Sequence, residues 1–136
     1  MKRRKAREYA LQMLFQADFT EKKIDRSDLE EFWANKKEAA EVRKFTEDLV
    51  RGTLDKLDEI DRAVEGLAEN WMLMRMAAVD RNILRFAAYE ILFRNDIPSA
   101  VTINEALEIA KKYSSVDAAS FLNGVLDRLA KETGKA

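Results

Sequence analysis

Five of the first seven residues are cationic: Lys2, Arg3, Arg4, Lys5 and Arg7. Arginine presents a rigid planar fork that grips phosphate and stacks on bases, and lysine adds a mobile point charge. Such a cluster at a chain start suits an anionic polymer, as a short basic arm that orders on RNA. It also suits a solvated terminus, and the residues alone leave both readings open. If four phosphates were contacted, the salt slope for single-stranded RNA would be about −3. That is modest, so selective binding would need base contacts or a second protein.

Further positions invite attention on type and spacing. Leu11 and Phe15 widen the apolar stripe of the first helix beyond what one packing contact needs, which fits either a partner surface or a second core contact. Asp80, Arg81 and Arg85 are expected on the narrow polar edge of an otherwise apolar helix, either with Asp80 charging the helix start and the arginines paired with carboxylates, or binding another protein. Asn104 is a poor mid-helix residue and is expected to make a hydrogen bond. Phe121 is placed in the first turn of the last helix, where it fits either core packing or a half-buried position from which an aromatic can stack on a base.

The whole chain does not look nucleic-acid binding: 24 Lys+Arg face 25 Asp+Glu, for a net charge of −1. The charge is segregated, however. Residues 1–16 carry a net of +4 and the remaining 120 a net of −5. Without Cys there is no disulfide, thiolate nucleophile or Cys zinc site, and without His no Ser-His dyad or imidazole ligand. Four isolated glycines make no phosphate cradle. No enzyme, cofactor or metal is expected. No apolar run approaches 18 residues, and the basic start lacks a following apolar segment. A cytoplasmic protein without a membrane span is the expectation.

The elements that must position these residues are helical throughout. Ala6, Tyr9, Ala10, Met13, Leu14 and Ala17 recur at helical spacing and predict a helix over 4–18. Thr20–Asp25 reads as a loop. Ser27 and Glu30 form a capping-box pattern ahead of Leu29, Phe32 and Trp33. Residues 38–66 predict one long helix or two abutting ones, with Gly52 inside for close packing or a kink. Glu69–Met76, with Trp71 and Met72, reads as a buried connecting turn. Residues 77–94 are apolar nearly all round and should be central. A turn at 95–98 leads to a helix over 99–113, and Ser114 with Asp117 offers a cap for the last, over about 117–132. The expected fold is all-α: about seven helices in two three-helix lobes sharing a core. That is one domain over 1–136, with lobes 1–70 and 71–136.

Several blocks together resemble the NusB family of bacterial transcription antitermination factors. They are Arg3-Arg4-Lys5-Ala6-Arg7-Glu8 with Ala10–Gln16, Val79–Arg85 with Ala88–Leu92, Ile103-Asn104-Glu105-Ala106, Ala110–Tyr113 and Phe121–Asp127. The resemblance implies a non-catalytic adaptor that binds boxA RNA of ribosomal RNA leaders together with the ribosomal protein NusE. It also implies a complex with NusA, NusG and RNA polymerase. Carried over residue by residue, RNA contacts fall on Lys2, Arg3, Arg4, Lys5, Arg7, Asp117 and Phe121, and NusE contacts on Phe15 and Asp80. The family often has Tyr at the position of Phe15. The alternative is a helical interaction or dimerisation module without RNA binding of its own. Oligomeric state is left open, a homodimer included.

Overall fold

The structure is a computed structural model that describes residues 2–21, 23–67 and 73–135. Among these residues there are seven α-helices and one 3-10 turn, and no strands. They are α1 (Lys2–Thr20), α2 (Arg26–Trp33), α3 (Ala40–Asp55), α4 (Leu57–Glu65), a 3-10 turn (Leu73–Arg75), α5 (Ala78–Phe93), α6 (Ser99–Tyr113) and α7 (Val116–Glu132). The expected turn at Trp71 and Met72 lies outside the described residues. Leu73 beside it is buried, whereas Met74 is exposed.

The apolar periodicity holds α5 in the centre. It packs against α1, α3, α4, α6 and α7. Ile83, Leu84, Phe86, Ala87 and Ala88 on it are fully buried. A helix apolar around most of its circumference can satisfy that surface only by being surrounded. On α1, the predicted stripe from Ala6 to Ala17 is buried, and Leu11 joins the core.

Local signals shift two caps. Asp25, rather than Ser27, caps α2: its side chain accepts from the Asp28 N–H, and the Asp28 side chain accepts from the Asp25 N–H, both at 2.9 Å. Both pairs have the same spacing, so the pattern alone cannot choose the register. Similarly, Ser115 and not Ser114 caps α7, accepting from the Ala118 N–H at 3.0 Å. The long segment 38–66 divides at Lys56 into α3 and α4.

Gly52 is inside α3, and a Cβ built there would lie 2.2 Å from the Tyr89 ring of α5. Close packing, not a kink, explains this glycine. Gly52→Ala would gain about 1 kcal/mol of helix propensity. It would lose about 1–3 kcal/mol by displacing the ring. The expected net is a destabilisation of about 1 kcal/mol, read as a lower denaturation midpoint. Gly52→Ala more stable than the parent would show that the ring moves freely.

Candidate nucleic-acid interface

The basic cluster occupies the start of α1, whose first turn holds no acidic residue. The positive end of a helix dipole disfavours cations, so this placement carries a local electrostatic cost. Carboxylates from elsewhere in the fold offset it. Lys2 pairs with Glu41 of α3. Arg4 forks onto Glu105 of α6, Nε to Oε1 at 3.1 Å and Nη2 to Oε2 at 2.6 Å. Lys5 is 3.8 Å from Glu38. Arg3 instead lies over the Phe45 ring, 4.7 Å from its centroid, with no carboxylate in ion-pair range among the described residues. Lys2, Arg3 and Lys5 are exposed and Arg4 half-buried.

Arg7 departs from the expectation. Its residue is 1% exposed, and its fork is closed on Glu90 of α5, Nε to Oε2 at 2.7 Å and Nη2 to Oε1 at 2.9 Å. Thr102 of α6 donates to the same carboxylate at 2.7 Å. A guanidinium so enclosed cannot reach a phosphate, so the expected direct contact is corrected to a structural role. The signal was present: Arg7 is in phase with Ala10, Leu11 and Leu14, all buried.

Phe121 is 46% exposed, which speaks against core packing and for the half-buried position, and it lies in the second turn of α7 rather than the first. Asp117 nearby is exposed. Asp117, at the start of α7, is set apart from the arm along α6. Helices α1 and α6 run side by side in the same sense, Arg4 beside Glu105 and Glu8 beside Lys112 and Tyr113. From Glu105 to Tyr113 the axial rise is about 12 Å. The arm and the start of α7 therefore lie towards different ends of α6, while Phe121, in the second turn of α7, comes back along the antiparallel helix towards the arm.

Phe15 is 40% exposed while Leu11 is in the core, which resolves the two readings differently for the two residues. Phe19, one turn on, is 84% exposed. With Leu11, Val79 and Tyr113 these rings line an open groove of about 450 Å³. Phe19, Val79 and Tyr113 were missed in the sequence, although the i, i+4 spacing of Phe15 and Phe19 on α1 pointed to the first. Asp80 adjoins Val79 in the first turn of α5, and its Oδ1 is buried without a hydrogen bond among the described residues.

Arg81 and Arg85 do not emerge on a polar edge. They turn inward, 8% and 6% exposed. Arg81 Nη2 lies 2.7 Å from Asp18 Oδ2, and Arg85 forks onto Asp61 at 3.0 and 2.9 Å. Asn82 donates to Asp18 as well, at 3.1 Å. Burial raises the Asp18 carboxyl, but the Arg81 and Asn82 hydrogen bonds and the charges of Arg81 and Arg85 outweigh it and hold the group below its usual value. The Asn104 side chain, expected to be bonded, is exposed and makes no hydrogen bond among the described residues. Among the same residues no carboxylate group has the arrangement to hold a metal ion, and no helix is long and apolar enough to cross a membrane.

Comparison with known proteins adds a family to this geometry. The NusB family model matches residues 4–131. A relative from Thermodesulfovibrio yellowstonii, named transcription antitermination protein NusB, is 48% identical over 97% of this chain and 93% of its own length. The solved structure of T. maritima NusB is 40% identical, covers 96% of this chain and 91% of that one, and superposes with a TM-score of 0.86. A crystal structure of the antitermination factors NusB and NusE in complex with dsRNA contains a chain 24% identical with a TM-score of 0.85. That match covers 96% of this chain and 97% of that one. At that identity it speaks for the fold alone.

Proposed function

The chain belongs to the NusB family, and from that membership we propose how it works: as a non-catalytic transcription antitermination factor that holds boxA RNA and NusE at once. Lys2, Arg3, Arg4 and Lys5 contact RNA phosphates, and Asp117 and Phe121 meet the same strand farther along. Phe15 and Asp80 contribute to the NusE surface. That a NusB of the same fold has been crystallised with NusE and RNA supports the reading. The complex formed this way joins NusA, NusG and RNA polymerase in the cytoplasm. The lobes 1–70 and 71–136 act as one domain.

The observation that carries the proposal is the placement of four solvent-reaching cations at the helix end where the dipole disfavours them. An incoming phosphate relieves that cost and exchanges with Glu41, Glu105 and Glu38. The existing ion pairs also favour a second reading, an interaction module that leaves its basic arm internally neutralised.

A salt titration of boxA RNA binding separates the two. Four released counterion equivalents give a slope of about −3, and replacing Lys2, Arg3, Arg4 and Lys5 by Ala should bring it towards zero. Adding NusE should tighten RNA binding, because a second tethered contact raises the effective concentration of the first. A salt-independent response, or no binding at low salt, would favour the module. Equal affinity with and without NusE would end the cooperative version.

A further inference from the structure

The Phe45 ring is approached by three guanidinium groups, those of Arg3 at 4.7 Å, Arg7 at 5.1 Å and Arg94 at 5.3 Å from its centroid. Arg94 follows the last residue of α5. Its backbone carbonyl accepts from Lys135 Nζ at 2.6 Å, and the same ammonium donates to the Glu90 carbonyl at 2.8 Å. Four cations thus gather at the end of α5: Arg3, Arg7, Arg94 and Lys135. The carboxylates facing them are Glu90, closed on Arg7, and Asp96, closed on Arg94. Glu105 is matched by Arg4. Among the described residues two positive charges remain in excess.

The titration of the neighbours reflects the crowding. The Asp96 carboxyl is lowered to about 2, chiefly by the hydrogen bonds from Arg94, with the charges of Arg94 and Arg3 adding to them. Burial, and then the charge of Arg94, hold the Lys135 ammonium below its usual value against the pull of Glu90 and Asp96. Arg94 spends Nε and Nη2 on Asp96, at 2.9 and 2.8 Å, and its Nη1 makes no hydrogen bond among the described residues. Asp96 itself is 55% exposed at its side chain, so water or a competing anion can reach it.

We propose that Arg94 and Arg3 form a phosphodiester-binding notch over Phe45 at the C-terminal end of α5, with Asp96 as the counter-ion that an RNA phosphate displaces. The notch extends the basic arm past Phe45, towards the turn that opens α6. The inference rests on the RNA-binding reading above. Sequence inspection could not find it, because Arg3 and Arg94 are far apart in the chain and Phe45 stands between them only in the fold.

The test compares Arg94→Gln, Asp96→Asn and Arg3→Ala in boxA RNA binding across a salt series, with thermal melts to verify folding. Arg94→Gln should weaken binding about tenfold and make the salt slope shallower by about 0.7. Asp96→Asn should tighten binding about threefold, because it frees the Arg94 fork from a competing charge. A purely structural Arg94–Asp96 pair predicts no tightening in Asp96→Asn. Parental affinity in both Arg94→Gln and Asp96→Asn, with Arg3→Ala weakened, overturns the notch and leaves the arm in place. Absence of RNA binding by the parent chain overturns the notch together with the reading beneath it.

Discussion

Glu90→Gln is expected to cost about 3–5 kcal/mol of folding stability, because it strands a buried guanidinium. Glu90 is fully buried and accepts two bonds from Arg7 and one from Thr102. The amide has one acceptor where the carboxylate had two, and it turns an N–H₂ towards a cation. Glu105 remains near Arg7, at 3.8 Å, but it is already forked onto Arg4. A domain has only about 5–15 kcal/mol in total, so the loss should be visible as a large fall in urea midpoint with little change in slope. A variant as stable as the parent would mean that the pair is energetically silent.

The same pair decides what Arg7 does. Replacing both partners, Arg7→Met with Glu90→Leu, removes the charges together, and such exchanges are often neutral or stabilising. This double variant should recover most of the stability lost in Glu90→Gln and still bind RNA through Lys2, Arg3, Arg4 and Lys5. A folded double variant that no longer binds RNA would return Arg7 to the interface. The interior position of Arg7 makes it the member of the basic cluster whose loss should be felt by the fold first.

Legibility in the sequence follows range. Helix α5 was readable because its apolar residues encircle it, and α1 because its stripe repeats at helical spacing. The burial of Phe121 was not readable, since its place near a helix start fits core packing as well as a half-exposed ring. Nor were the ion pairs, since Arg7–Glu90 and Arg4–Glu105 span 83 and 101 residues. With 24 cations and 25 acids, composition permits hundreds of combinations. Periodicity could still have set Arg7 apart, since a charge in phase with a buried stripe must find a partner. It could not have found the groove beside Phe15, because Val79 and Tyr113 come from helices that meet α1 only in the fold.

Asp18→Asn should have the next largest effect, about 2–3 kcal/mol at neutral pH, somewhat below the full cost of breaking a buried pair. Asp18 on α1 receives Arg81 and Asn82 and lies 3.6 Å from Arg85, all three on α5. The loss is tempered because Arg85 keeps Asp61, and Arg81 keeps the Met76 carbonyl at 2.9 Å. The pH dependence supplies the check. The folded carboxyl is held below its unfolded value of about 3.9, so its stabilisation is complete above that pH and fades as pH falls through the lower, folded value. The gap between parent and Asp18→Asn should therefore be widest near neutrality and narrow steadily in acid. A gap that stays constant with pH would assign the effect to packing and not to charge. The consequence reaches the proposed partner surface, because Asp18 follows Phe15 by one turn and Arg81 adjoins Asp80. The charge cluster fixes the register between α1 and α5 that sets the groove walls. Weakened NusE binding by Asp18→Asn, at a temperature where it remains folded, is the expected functional readout.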